Sequence, residues 1–107
     1  MTERSISIAD VASGQVLAEA TREKGVCLFE GAWYFDVDHV DMSNLRVTDR
    51  IYICPYKGHC KWIDMVTDDK VVESVAWVYH KTLPGYEFIA NKIGFYAGVR
   101  QATRELS

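Results

Sequence analysis

At 107 residues the chain is long enough for one hydrophobic core and too short for two. A composition of 49% apolar and 25% charged residues excludes a disordered chain, and a formal charge of −3 leaves no basic footprint for nucleic acid. No apolar run nears the roughly 20 residues that span a bilayer, and the first ten residues, with Glu3, Arg4 and Asp10, lack a signal peptide's apolar stretch. Together with three cysteines, an odd number, this predicts reduced thiols and a cytoplasmic location, with neither membrane nor nucleic acid as partner.

In chain order, Met1 to Asp10 starts polar and reads as a loose arm. Val16-Leu17-Ala18 is a short apolar run after Gly14. Gly25 to Phe29 and Ala32 to Phe35 are two strands joined by a Glu30-Gly31 hairpin turn. His39 to Leu45 suits a helical turn. Arg50 to Cys54 is a β-branched and aromatic strand that Pro55 stops. His59 to Met65 and Glu73 to Tyr79 alternate as strands, with Thr67 to Lys70 as the turn between them. Tyr86 to Lys92 is the best helix candidate, because Phe88, Ile89 and Lys92 share a helical face. Ile93 to Tyr96 is a further strand, and Val99 to Leu106 reads as a frayed helix. Short strands at regular spacing predict a mainly β domain, at most marginally α+β: bent antiparallel sheets with one or two short helices.

The chemistry is densest between Ile53 and Trp62. Cys54 ends a strand close to Lys57 and His59, and a nearby cation favours the thiolate that a nucleophile needs. The plain alternative is a small buried apolar residue at a strand end. Cys54, His59 and Cys60 hold zinc-type ligands, but without the paired spacing of structural zinc sites. His59 and Cys60 also point to opposite faces of a strand, so no metal or other cofactor is expected. Asp36-Val37-Asp38 has the form of a metal-binding acidic pair but lacks a phosphate-cradling loop, and it reads instead as a solvated turn that caps the following helical turn. His80 reads as a rim histidine. Trp33, Tyr34, Tyr56, Lys57, Trp62, Trp77, Tyr79 and Lys81 combine aromatic and basic groups. If the strands of Tyr34, Trp62 and Trp77 are neighbours, their rings line one surface suited to a flat or anionic ligand. The alternative is that they fill the core. Gly58 after Lys57 marks a backbone that needs positive φ or a close approach.

Cys54-Pro55-Tyr56-Lys57-Gly58, Ala76-Trp77-Val78-Tyr79, Leu83-Pro84 and Gly94-Phe95-Tyr96, in that order, resemble domain-of-unknown-function family 427. Val16 to Glu19 and Trp33-Tyr34-Phe35 extend the match, which runs from about Gln15 to Val99. Within the single domain 1–107 that the length predicts, the resemblance marks a family core (15–99) between a loosely ordered arm (1–14) and a tail (100–107). It implies a compact fold related to the β-tent group, which includes the cereblon ligand-binding domain and methionine sulfoxide reductase B. Many of those relatives bind zinc through paired cysteines, which this chain lacks. Cereblon-type domains hold a flat ligand in a tryptophan cage, which favours the aromatic reading by analogy. The family has also carried a nucleotidyltransferase-like label. Asp36, His59 and Cys60 fall outside the family pattern and inherit no role.

These readings converge on a pocket built by the C-P-Y-K-G turn and the W-x-Y strand. Its expected ligand-binding residues are Tyr56, Lys57, Gly58, Trp77 and Tyr79, and its expected partner is a small polar or anionic molecule. The alternatives are a thiol-dependent enzyme with Cys54 as catalytic residue, and a protein-interaction module without a small-molecule site.

Overall fold

The structure is a computed structural model that describes residues 4–106. It is mainly β, as the strand spacing predicts. Nine strands form one sheet: β1 (Ser5–Asp10), β2 (Val16–Arg22), β3 (Gly25–Phe29), β4 (Ala32–Phe35), β5 (Leu45–Cys54), β6 (Gly58–Val66), β7 (Val71–Thr82), β8 (Ile93–Tyr96) and β9 (Thr103–Leu106). Their spatial order is β5-β6-β7-β8-β4-β3-β2-β1-β9. Every pairing is antiparallel except the short parallel contact of β2 with β3. The sheet curls so that β9, at one end of the order, comes alongside β8; Glu105 N–H donates to Gly98 C=O at 2.9 Å.

The curl buries one face of the sheet. Ile6, Ile8, Leu17, Val26, Trp33, Phe35, Ile63, Met65, Ile93 and Phe95 fill that core, where the Phe35 and Phe95 rings meet edge to face at 5.9 Å. The opposite face carries a second, smaller cluster: Ala32, Tyr34, Cys54, Cys60, Trp77, Tyr79 and Ile89. Two buried faces explain why β4 has no polar residue, since alternation with polar residues needs one face in water. The Glu30-Gly31 turn forms as expected, with φ of 50° and 76° at its two residues. Positive φ at both positions matches the twist of the flanking strands.

Four local expectations are corrected. Ser5–Asp10 is not a loose arm but a strand paired on both sides, with Ile6 and Ile8 fully buried; residues 1–3 of the expected arm lie outside the described residues. The predicted helix over Tyr86 to Lys92 is a single 3-10 turn, Glu87–Ile89, and Asn91 at φ 61° ends it. It drops Ile89 (0% exposed) onto the second cluster and leaves Phe88 (46%) outside. In place of a frayed C-terminal helix, Thr103–Leu106 forms β9 on β1. The single helical turn expected over His39 to Leu45 is two 3-10 turns, Val37–His39 and Met42–Asn44.

Two buried carboxylates hold strands and turns together. Asp64 receives the Arg50 guanidinium and the Ser74 N–H, and the arginine first of all holds its carboxyl below the ordinary value of 3.8, against the effect of burial. Burial opposes the ionisation of Asp10, but the Ser13 hydroxyl and the N–H groups of Ser13 and Ala12 outweigh it. Both groups therefore titrate lower in the folded chain than in the unfolded one. Their stabilisation is complete above the unfolded value near 3.8 and is lost as pH falls through the folded values. The acid limb of a stability–pH profile should accordingly flatten below about pH 4 in Asp10→Asn and Asp64→Asn variants, as measured by urea unfolding at each pH.

Candidate functional site

The second cluster opens to solvent as an aromatic cleft, and strand register builds it. Trp62 on β6 lies opposite Trp77 on β7, Trp77 opposite Gly94 on β8, and Gly94 opposite Tyr34 on β4. Opposed residues in antiparallel strands share a face, so one row crosses four strands. Gly94 contributes no side chain, and the Trp77 indole lies across it to reach Tyr34; Nε1 donates to Oη at 3.1 Å. A Cβ at position 94 would sit 2.6 Å from Trp77 Nε1 and 3.0 Å from Tyr34 Cε1. A parallel row two residues along holds Tyr52, Cys60 and Tyr79. Tyr96 closes one side against Trp77, with ring centroids 4.7 Å apart.

The cleft has a volume of about 180 Å³ and is lined by Glu30, Ala32, Tyr34, Tyr52, Lys57, Cys60, Trp62, Trp77, Tyr79 and Tyr96. Lys57 Nζ donates to Glu30 Oε1 at 2.6 Å and lies 5.9 Å from the centre of the Phe29 ring and 5.8 Å from that of Tyr79. Burial disfavours its charge, but the Glu30 carboxylate outweighs burial and raises its pKa, so the cation persists at neutral pH. Burial pushes the Tyr34 and Tyr79 hydroxyls up, so both keep their protons. The Tyr34 oxygen accepts from Trp77, which leaves its own O–H free to donate.

Of the residues expected at the site, Lys57, Trp77 and Tyr79 line this cleft. Tyr56 does not: it stands at the tip of the turn, 73% exposed. Gly58 faces the neighbouring strand rather than the cleft. Its φ is +125°, and a Cβ there would lie 2.1 Å from the Lys81 carbonyl oxygen. Cys54 sits beneath the turn in the same cluster as Cys60. Burial raises its thiol, but the N–H groups of Lys57 and Tyr56, the Lys57 charge and the Tyr79 hydroxyl together pull it below its ordinary value. Burial instead pushes Cys60 and Cys27 up. Glu30, Tyr52, Cys60 and Tyr96 also line the cleft and were not expected at the site; Gly94 inside a strand was the readable signal for a close packing partner.

The remaining motifs take ordinary places. His59 and Cys60 point to opposite faces, and the His59 ring lies 6.4 Å from that of His80. Asp36 precedes a 3-10 turn without capping it through its side chain and forms an ion pair with Lys92. Among the described residues, no group of three or more His, Cys, Asp or Glu side chains is arranged to hold a metal ion. A larger cleft of about 490 Å³ lies between Val11, Lys70, Val72 and Arg100, on the far side of Tyr96. Its buried Asp10 is already satisfied by the β1–β2 turn, and the Arg100 guanidinium lies over the Tyr96 ring.

A curled single-sheet domain with an aromatic cleft on its outer face is the class that fold and site define. The chain belongs to the DUF427 family, a domain of unknown function whose model matches residues 1–105. No curated protein matches the chain. No helix among the described residues is long and apolar enough to cross a membrane.

Proposed function

We propose that the aromatic cleft binds a small, flat molecule carrying a polar or anionic group. The observation that carries this reading is the Trp62–Trp77–Tyr34 row beside the Lys57 ammonium. The rings supply flat apolar walls, and the two pocket-facing donors, Lys57 and the Tyr34 hydroxyl, favour a ligand that presents acceptor oxygens. The volume sets the size: a cavity of about 150 Å³ accepts benzene, so about 180 Å³ suits a single ring with a short substituent. Glu30 already engages Lys57, and at 57% side-chain exposure it is free to swing aside for a ligand carboxylate. A net charge of −3 supports a small molecule over nucleic acid. The three free thiols accord with a cytoplasmic location.

Benzoate and its neutral analogue benzamide test the reading through tryptophan fluorescence and ligand-observed NMR. Lys57→Met should weaken benzoate binding by about tenfold or more and benzamide binding much less. Trp62→Ala should weaken both, because a wall common to both ligands is gone. Failure of every small aromatic carboxylate to bind, or equal affinity in wild type and both variants, would sink the reading.

A further inference from the structure

The larger cleft, of about 490 Å³, has walls of a different kind from the aromatic one. Val11, Ala12, Val72, Val75 and Ala102 line it, and Tyr96 supplies its single ring. Val75 belongs to the main core, and Val72 and Ala102 pack against that core, so the cleft opens onto aliphatic interior. Its volume lies within the roughly 300–1,000 Å³ of small-molecule sites. Four charged side chains reach it: Asp10, Glu73, Lys70 and Arg100. Both carboxylates are engaged. Asp10 accepts from the Ser13 hydroxyl and the N–H groups of Ala12 and Ser13, and Glu73 pairs with Arg50. Among the described residues neither Lys70 nor Arg100 forms an ion pair. Asp68 and Asp69, next to Lys70 in the chain, do not line the cleft. The Arg100 guanidinium lies 4.8 Å from the centre of the Tyr96 ring. Stacking there holds the planar group in place and leaves its N–H edges open to an oxygen acceptor.

We propose that this cleft is a second ligand site, for an aliphatic carboxylate whose chain lies on Val72, Val75 and Ala102 and whose carboxylate is held by Arg100 and Lys70. The walls select an aliphatic body over a flat one, because Tyr96 stands without a second ring to sandwich a ligand on this side. The charges select a single negative group. Two cations set against two fixed carboxylates leave little net field, which suits a monoanion and disfavours a phosphate or a polyanion. A guanidinium edge also matches the two oxygens of a carboxylate. The two clefts share only the Tyr96 ring among their lining residues, so this site stands whether or not the aromatic cleft binds a ligand.

Octanoate and its neutral analogue octanamide are the probes, titrated into the full chain and followed by methyl and indole NMR signals. Octanoate should shift the methyl signals of Val11, Val72 and Ala102 and leave the Trp62 indole signal in place. The wild-type chain should bind octanoate at least about tenfold more tightly than octanamide. A Lys70→Met, Arg100→Met double variant should lose that preference while keeping its affinity for octanamide. Both positions are exposed, so the variant keeps its fold, and its unperturbed core methyl signals verify this. Three results would each overturn the proposal: no shift at these methyls with octanoate, equal binding of the two probes by the wild-type chain, or undiminished octanoate binding in the double variant. Shifts confined to Trp62 and Trp77 would place octanoate in the aromatic cleft and overturn it as well.

Discussion

Replacing Gly58 by alanine should cost the domain about 3 kcal/mol, which for a chain of this size lowers Tm by roughly 10–20 °C. Two penalties add. The φ of +125° is a conformation that a side chain resists, and the new Cβ meets backbone rather than a flexible side chain: Lys81 O at 2.1 Å and Thr82 Cα at 2.9 Å. The only relief is to pry β6 from β7 at the pair Gly58–Thr82, next to the turn that carries Lys57. Gly85→Ala is the matched control, because its added Cβ meets nothing within 4 Å. Thermal unfolding of both variants decides the matter. A Gly58→Ala protein no less stable than the control would show that this strand crossing is not close-packed.

Ile8→Ala should cost about 2–5 kcal/mol, the range for deleting a fully buried branched side chain. A residue in a loose arm would show an effect within about 0.5 kcal/mol. Ile8 is 0% exposed and lies in the main core with Ile6 and Leu17, on a strand held by β2 on one side and β9 on the other. Urea unfolding separates the two outcomes easily. A near-neutral Ile8→Ala protein would mean that β1 adds nothing to the core it contacts.

The strands that the sequence declares by itself are those with strong β-formers between turn residues: Gly25 to Phe29, Ala32 to Phe35, Arg50 to Cys54 and Ile93 to Tyr96. β1 was legible in its Ser-Ile-Ser-Ile alternation, but the charges of Glu3, Arg4 and Asp10 around it read as solvent. Thr103 to Leu106 has no local preference strong enough to decide between helix and strand, and its pairing with β1 decides it. At Tyr86 to Lys92 a helical spacing was real but short. The outer cluster claims Ile89, Phe88 packs edge to face on Phe29 at 5.0 Å, and one 3-10 turn suffices. Alternation alone put Trp77 with Tyr79 and Cys60 with Trp62. The same alternation grouped Val75 with Trp77, but the β6–β7 register slips between Ile63 and Met65, Ser74 takes a φ of 59°, and Val75 joins the main core. That Tyr34 completes the cleft follows from β4 lying beside β8, an adjacency set by packing across the whole domain.

The pairing of β1 with β9 governs how fast the domain can form. Ser7 lies opposite Leu106, so this seam joins the two extremes of the described chain. Closing so large a loop is entropically costly and returns nothing until the contact is made, and folds rich in such distant pairings form in milliseconds to seconds rather than microseconds. The β1–β2 and β5–β6 hairpins need only local search and can form early. During synthesis, β1 emerges before β9, and its edge on that side stays unpaired until β9 has been made. The last seam to close is also the one that seals Ile6 and Ile8 from water.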